Sequence, residues 1–413
     1  MSALTDAGYR TLAVGKMHFT PDADALRGFQ TRDTSEEMAG PDRDDYTAWL
    51  HDQGFDHIVD ANGVRGEMYY VPQPAQMPTW AHNSHWVADR SIDFLEQRDP
   101  NEPFLLWSSF IDPHPPFAPP IPWNRLYRGP EMPLPKRPDR MRNLWTFINR
   151  VQNRYKYRDA GIDDRLVQVM RAYYYATVSF IDYNVGRILE ALKAQGELDN
   201  TLILWTADHG EFLGDYDCFG KRSFLASAAN VPLIARYPAR FSRGRRVSAS
   251  ASLVDVMPTL LTAADVSTEG MALDGTDLSA LASGAVNREM VYGHYMRGGA
   301  ESYHQASYMA LSEQWKYIYN APENREFLFD LKVDPNETRN RAQTVGYTEQ
   351  TEAMRAALID DLRRVGYTEV LDGDDWRVFP GPTFYDDPDA GLLVQDPAWA
   401  EDRTEIPGYT DEA

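Results

Sequence analysis

Six side chains in this 413-residue chain have types and positions that could do chemistry together: Lys16, His18, His114, Asp208, His209 and Lys221. Asp208-His209-Gly210 follows the apolar run Leu202–Trp205, which reads as a buried strand. A carboxylate and an imidazole at the carboxyl end of a strand suit a divalent metal, and in open α/β sheets that edge is where ligands bind. Gly210 lets the backbone turn sharply behind the pair. Taken singly, each residue has a plain alternative: Lys16 and His18 facing solvent along an extended segment, His114 as a loop histidine between prolines, Lys221 in a solvated basic turn beside Arg222. Taken together, cationic and proton-donating groups beside a metal-type pair make a site for a tetrahedral anion, which needs charge neutralisation, oxygen donors and a proton for its leaving group.

The elements that must position these groups are legible as periodicities. Leu4–Gly8 ends a helix with Gly8 as its cap, and a strand over Tyr9–Val14 runs into Gly15-Lys16-Met17-His18. Residues 20–80, rich in Asp, Gly and Pro, read as loops with short elements. A helix around Ser84–Glu96 leads to a second buried strand, Phe104–Phe110, which empties into the proline-rich segment holding His114. Apolar residues from Leu166 to Leu192 at three-and-four spacing predict a helix over 163–195, stopped by Gly196 and roughly 45–50 Å long. The strand bearing Asp208 follows, so helix–strand alternation implies a mostly parallel sheet; Val231–Arg236 is another short strand and Leu253–Ala264 another helix. Beyond about residue 285 the short aromatic runs Met290–Tyr295, Tyr308–Leu311, Lys316–Asn320 and Phe327–Asp330 predict an antiparallel sheet, covered by an amphipathic helix over Glu349–Val365. The expected organisation is an α/β domain over 1–285 with helices flanking its central sheet, a small antiparallel-sheet subdomain over 286–368, and an acidic tail over 369–413.

The net charge of −21 is uneven: the tail from Glu369 holds 13 acids and two arginines. This balance argues against nucleic acid as a partner. No run approaches the roughly 18 apolar residues of a membrane span, so no membrane partner is expected. The N-terminus lacks the pattern of a signal peptide, which for the chain as given reads as cytoplasmic. A single cysteine, Cys218, forbids an intrachain disulfide. Lys136–Arg158 carries eight Lys/Arg against one Asp, with Trp145, Phe147, Tyr155 and Tyr157 interleaved, and reads either as a solvated helix or as a lid over an anionic or carbohydrate substrate.

Several segments in one order resemble the sulfatases of the alkaline-phosphatase-like superfamily, including arylsulfatase and choline-sulfatase types. They are Asp6–His18, Ser109–Phe117, Thr206–Glu211, Gly220-Lys221-Arg222 with Val231–Ile234, and Leu328–Glu337, so the likeness runs over about residues 3–365. The resemblance implies sulfate-ester hydrolysis, with Asp208 and His209 as metal ligands, Lys16 and Lys221 on the sulfate oxygens, and His18 and His114 contacting substrate and handling protons. It implies Ca²⁺; the histidine in the pair leaves room for Mn²⁺. The substrate would be a small-molecule or carbohydrate sulfate ester.

The resemblance also implies a formylglycine made from the Cys or Ser of a Cys/Ser-x-Pro/Ala-x-Arg motif, and no such motif stands in these 413 residues. Cys218 is a poor substitute, since Gly220 replaces the Pro or Ala and Lys221 already matches the family's lysine. The family's paired N-terminal aspartates and first sheet strand have no counterpart either. The chain therefore reads as an N-terminally truncated sulfatase. The alternatives are a phosphonate or phosphate ester hydrolase of the same superfamily, and a non-catalytic relative that binds anionic ligands.

Overall fold

The computed structural model describes residues 1–37, 40–58, 60–65, 69–151, 162–295 and 303–382. Its first sheet is parallel, in the order β2-β1-β3, from β1 (Arg10–Gly15), β2 (Thr31–Thr34) and β3 (Phe104–Ser109). Register brings the three strands to one edge together: Gly15 lies beside Thr34 on one side and beside Ser109 on the other. Lys16, the segment after Thr34 and the His114 loop consequently leave the sheet at the same place.

Alternation along β1 buries both faces, as parallel sheets require. Leu12 and Val14 pack with Trp86 and Val87 of helix α1 (Asn83–Gln97), while Ala13 packs with Leu105, Leu4, Phe29 and Leu261. Leu261 belongs to helix α3 (Val256–Ala263). The long helix α2 (Asp164–Ala194) starts where Asp163 accepts the Arg165 amide at 2.7 Å, and it lays Ile188 and Leu192 against Ala88 and Leu95 of α1.

The strand carrying Asp208 departs from expectation. β4 (Ile203–Thr206) pairs antiparallel with β5 (Leu233–Arg236) in a sheet of two, not in the parallel ladder. Among the described residues no strand pairs with the outer edge of β3 or with the second edge of β4. Between them lies a cavity of about 1470 Å³, walled by Phe104–Phe110 and Leu202–Thr206. Nor is β4 buried as its apolar run predicts: each of its residues keeps some exposure, and Trp205 is 36% exposed.

The second sheet is antiparallel, in the order β6-β7-β8-β9, from β6 (Val291–Tyr295), β7 (Ser307–Leu311), β8 (Trp315–Asn320) and β9 (Arg325–Asp330). Its two faces divide by period two. Tyr308, Ala310, Tyr317, Tyr319 and Leu328 meet Met354, Leu358 and Leu362 of helix α4 (Thr348–Arg364). Met309, Ile318, Phe327 and Phe329 meet Phe212, Tyr216, Cys218 and Leu225 in the loop after Asp208. The acidic tail does not begin cleanly at 369: Trp376 stacks on Tyr319 with centroids 4.0 Å apart and donates its indole N–H to the Tyr317 hydroxyl at 2.9 Å. Residues 383–413 of the tail lie outside the described residues.

Gly15 sets the junction between β1 and the Lys16 loop. Its φ is +92°, and an added Cβ would sit 1.9 Å from the Ser109 carbonyl oxygen. Gly15→Ala is therefore expected to destabilise the protein by at least about 1–3 kcal/mol, read as a lower urea midpoint. An unchanged midpoint would show that the β1–β3 approach is slack.

Candidate functional site

Lys221 is the hub of the polar cluster. Its Nζ donates to His209 Nε2 at 2.8 Å and lies 3.3 Å from His114 Nε2. Each imidazole turns its Nδ1 to a neighbouring main-chain carbonyl, Pro115 for His114 and Gly210 for His209, both at 2.8 Å. Those carbonyls can only accept, so Nδ1 carries the proton and each Nε2 is a bare acceptor towards Lys221.

Burial, with Lys221 and Lys16 nearby, drives the His114 imidazole down to about 3 against the pull of Glu37. Burial and then Lys221 lower His209 in the same way. Burial and then Lys16 lower Lys221 itself. The histidines are thus neutral at pH 7.

Lys221 is delivered by a loop folded tightly on itself. Phe212 N–H donates to Gly220 O at 3.0 Å, Gly214 N–H to Cys218 O at 2.9 Å, and Gly210 N–H to Ala228 O at 2.7 Å. Gly210 is needed for close approach rather than for a positive φ, since an added Cβ would lie 2.2 Å from Ser227 O. Buried Asp215 clamps the loop, accepting from Arg171 at 2.6 Å, Ser227 Oγ at 2.8 Å and the Lys136 amide at 2.8 Å. Glu211 is buried beneath it and accepts from the Gly220 and Leu213 amides. Burial pushes its carboxyl up to about 7, opposed by those amides and by Lys221.

Of the six residues singled out from sequence, Lys16, His114, His209 and Lys221 converge. Asp208 stands at the rim with its side chain 72% exposed, its carboxylate 3.4 Å from His209 Nε2. His18 does not join them. It takes a left-handed conformation, φ 54°, and its 66%-exposed ring turns to Glu36, with Nδ1 at 3.1 Å. Cys218 is fully buried and its thiol is pushed far up by burial, which excludes it as a thiolate nucleophile.

Two site residues were missed from sequence. Glu37 bridges the cations: one carboxylate oxygen meets Lys16 Nζ and lies 3.5 Å from His114 Nε2, and the other lies 3.5 Å from Arg65. Arg65 also caps the Tyr69 ring at 4.9 Å. Both fall in the stretch read as loop, where no periodicity marks them.

The basic stretch from Lys136 is engaged within the chain. Arg137 pairs with Asp164 and Asp217, Arg150 pairs with Glu323, and the Trp145 indole donates to Tyr216 O at 2.7 Å. Its residues 152–158, with Tyr155 and Tyr157, lie outside the described residues.

The Sulfatase family profile matches residues 1–266, and the profile described as N-sulphoglucosamine sulphohydrolase, C-terminal, matches residues 214–364. The chain belongs to the sulfatase family. Similar sulfatases include the arylsulfatase of Clostridium perfringens, 29% identical over 390 residues, covering 89% of this chain and 79% of the relative. The choline-sulfatase of Rhizobium meliloti is 29% identical over 362 residues, covering 82% of this chain and 66% of the relative. Among solved structures, the phosphonate monoester hydrolase of Agrobacterium radiobacter superposes with a TM-score of 0.72 at 24% identity, over 90% of this chain and 82% of that one, which shows a shared fold.

Sulfatases generally use a divalent metal and a formylglycine. Among the described residues no group of three or more His, Cys, Asp and Glu side chains converges as a metal site. Asp208 and His209 offer two donors where zinc takes four and calcium six to eight, and His209 spends its bare nitrogen on an ammonium. The described residues thus do not fit a complete metal centre, for Ca²⁺ or for Mn²⁺.

Glu37 makes the site sensitive to acid. Burial would raise its carboxyl, but Lys16 and Arg65, joined by His114 once that imidazole protonates near pH 3, hold it at about 2, below the ordinary 4.5. Its stabilisation is therefore complete above pH 4.5 and lost as pH falls towards 2. At pH 7, Glu37→Gln is expected to cost about 3–5 kcal/mol in urea unfolding, as for removing one partner of a buried ion pair. The gap from wild type should narrow below pH 4.5, and a gap independent of pH would contradict the ionised bridge.

Proposed function

We propose that this sulfatase hydrolyses sulfate monoesters, with Lys16 and Lys221 gripping the sulfate oxygens. The observation that carries the reading is the Lys221 ammonium held between two bare imidazole nitrogens with Lys16 and Arg65 close by: cations and proton-bearing groups around one pocket. The names of its arylsulfatase and choline-sulfatase relatives support the same class.

In the net reaction, R–O–SO₃⁻ and water give R–OH and hydrogen sulfate. The bond between sulfur and the ester oxygen breaks, the sulfuryl group passes to water's oxygen, and the departing alkoxide takes up a proton. Lys221 Nζ, oriented by the His114 and His209 nitrogens, would supply that proton. His114, neutral with its proton on Nδ1, acts here as an acceptor that aims Lys221. This narrows the role expected for it from sequence. The ammonium groups offset charge on the sulfate oxygens, where electrostatic stabilisation is the main demand of this chemistry.

The cavity beside the cations is lined by Tyr127, Tyr174 and Tyr175, whose rings suit an aromatic or sugar leaving group. The substrate class proposed is accordingly a small aryl or carbohydrate sulfate ester.

Steady-state hydrolysis of 4-nitrophenyl sulfate tests this, with a phosphonate monoester of the same alcohol run in parallel. Lys221→Ala should lower kcat/KM at least about 100-fold, the usual cost of an electrostatic donor, with little change in Tm. A variant that kept its rate would remove Lys221 from the chemistry. Faster turnover of the phosphonate would move the protein to that class, and sulfate binding without turnover of either would make it a binder of sulfated ligands.

A further inference from the structure

Glu37, like Glu323 between Arg150 and Arg325, is a mostly buried carboxylate held by side chains, whereas several others are held by main-chain amides. Asp255 accepts from the main-chain amides of Ser252 and Thr276 as well as from Arg288, Asp215 accepts from the Lys136 amide, and Glu337 accepts from the Ala226 amide. Such carboxylates are built into the fold. The contacts that the described residues make with the Glu37 carboxylate come instead from site side chains: Lys16, His114 and Arg65.

Its backbone lies beyond the sheet but is anchored at the preceding residue, where Glu36 N–H donates to Asp44 and Glu36 O accepts from Asn62 Nδ2. The last main-chain bond from β2 towards β1 is Ser35 N–H to Gly15 O at 3.3 Å, and Glu37 lies two residues past it in a turn. The side chain is nevertheless only 11% exposed, because it reaches into the cationic pocket.

A carboxylate there presents oxygens and one negative charge to the groups that would receive a sulfate monoester, which also carries one negative charge. Exchanging one for the other leaves the net charge of the pocket unchanged. It also keeps the buried cations compensated at both ends of the exchange.

We propose that Glu37 is an intramolecular competitor for the sulfate group: its carboxylate occupies the cationic pocket at rest and swings out when a sulfate enters. The proposal rests on the anion-site reading above. Competition of this kind weakens apparent affinity by the fraction of molecules whose pocket is open.

Titration calorimetry of inorganic sulfate into wild type and Glu37→Gln tests it. The variant should bind sulfate at least about 10-fold more tightly, because the amide has no charge to compete with. In thermal unfolding the same variant should start lower than wild type and gain more from saturating sulfate, a rescue that a merely structural ion pair would not show. Should Glu37→Gln fail to fold, Glu37→Asp keeps the charge but withdraws it by one methylene, and it too should bind sulfate more tightly than wild type. Equal or weaker sulfate binding by the folded variant would overturn the proposal and make Glu37 a positioning residue. Absence of sulfate binding in wild type and variant alike would overturn the anion-site reading itself.

Discussion

The structure around this site turns on one constraint: three cationic side chains, Lys16, Arg65 and Lys221, meet in a mostly buried pocket where their charge must be balanced. Unscreened cations repel strongly at such distances, and burial adds to the cost. The chain answers with one carboxylate, Glu37, and with two imidazoles kept neutral and turned to accept. The Pro115 and Gly210 carbonyls fix the tautomers that leave both Nε2 atoms bare towards Lys221. A pocket so compensated is prepared to exchange its internal anion for an external one.

Holding the charges together is the work of two separate parts of the fold. The parallel strands fix Lys16, His114 and the Glu37 turn at one edge through the register at Gly15. Lys221 arrives from elsewhere, on a loop gripped from below by Asp215 and Arg171 and from the side by the antiparallel sheet. Buried Lys316 strengthens that second grip, pairing with Glu337 and donating to Phe224 O at 2.9 Å. The C-terminal sheet therefore belongs to the site mechanically, although none of its residues reaches the pocket cations in the described contacts. Period-two alternation lets it do this, giving one face to α4 and the other to the Lys221 loop.

Much of this was legible in the amino-acid sequence, and the failures have physical causes. Apolar runs and three-and-four spacing located β1, β3, α1, α2 and the whole antiparallel sheet, because burial imposes period directly. Lys16, His114 and His209 were legible because they follow such runs at short range, whereas Lys221 lies far past its run and was found from the resemblance of Gly220-Lys221-Arg222. β2 was missed because Thr31–Thr34 is a short polar strand that carries no alternation, and Glu37 and Arg65 were missed with it. His18 was placed in the site by the resemblance, but a left-handed backbone turns it to Glu36, and nothing in residue type foretells that. The antiparallel pairing of β4 with β5 was equally hidden, and the burial expected from the apolar run is not found there, since Trp205 and Ile234 are exposed.

The central claim is that this pocket receives a tetrahedral oxyanion. Anomalous diffraction from a crystal of the protein soaked in selenate tests it most directly, because selenium marks the anion unambiguously. A selenium peak is expected with oxygens about 3 Å from the Lys16 and Lys221 ammonium groups, and Glu37 turned out of the pocket. Selenate bound only elsewhere, with Glu37 still bridging Lys16 and Arg65, would contradict it.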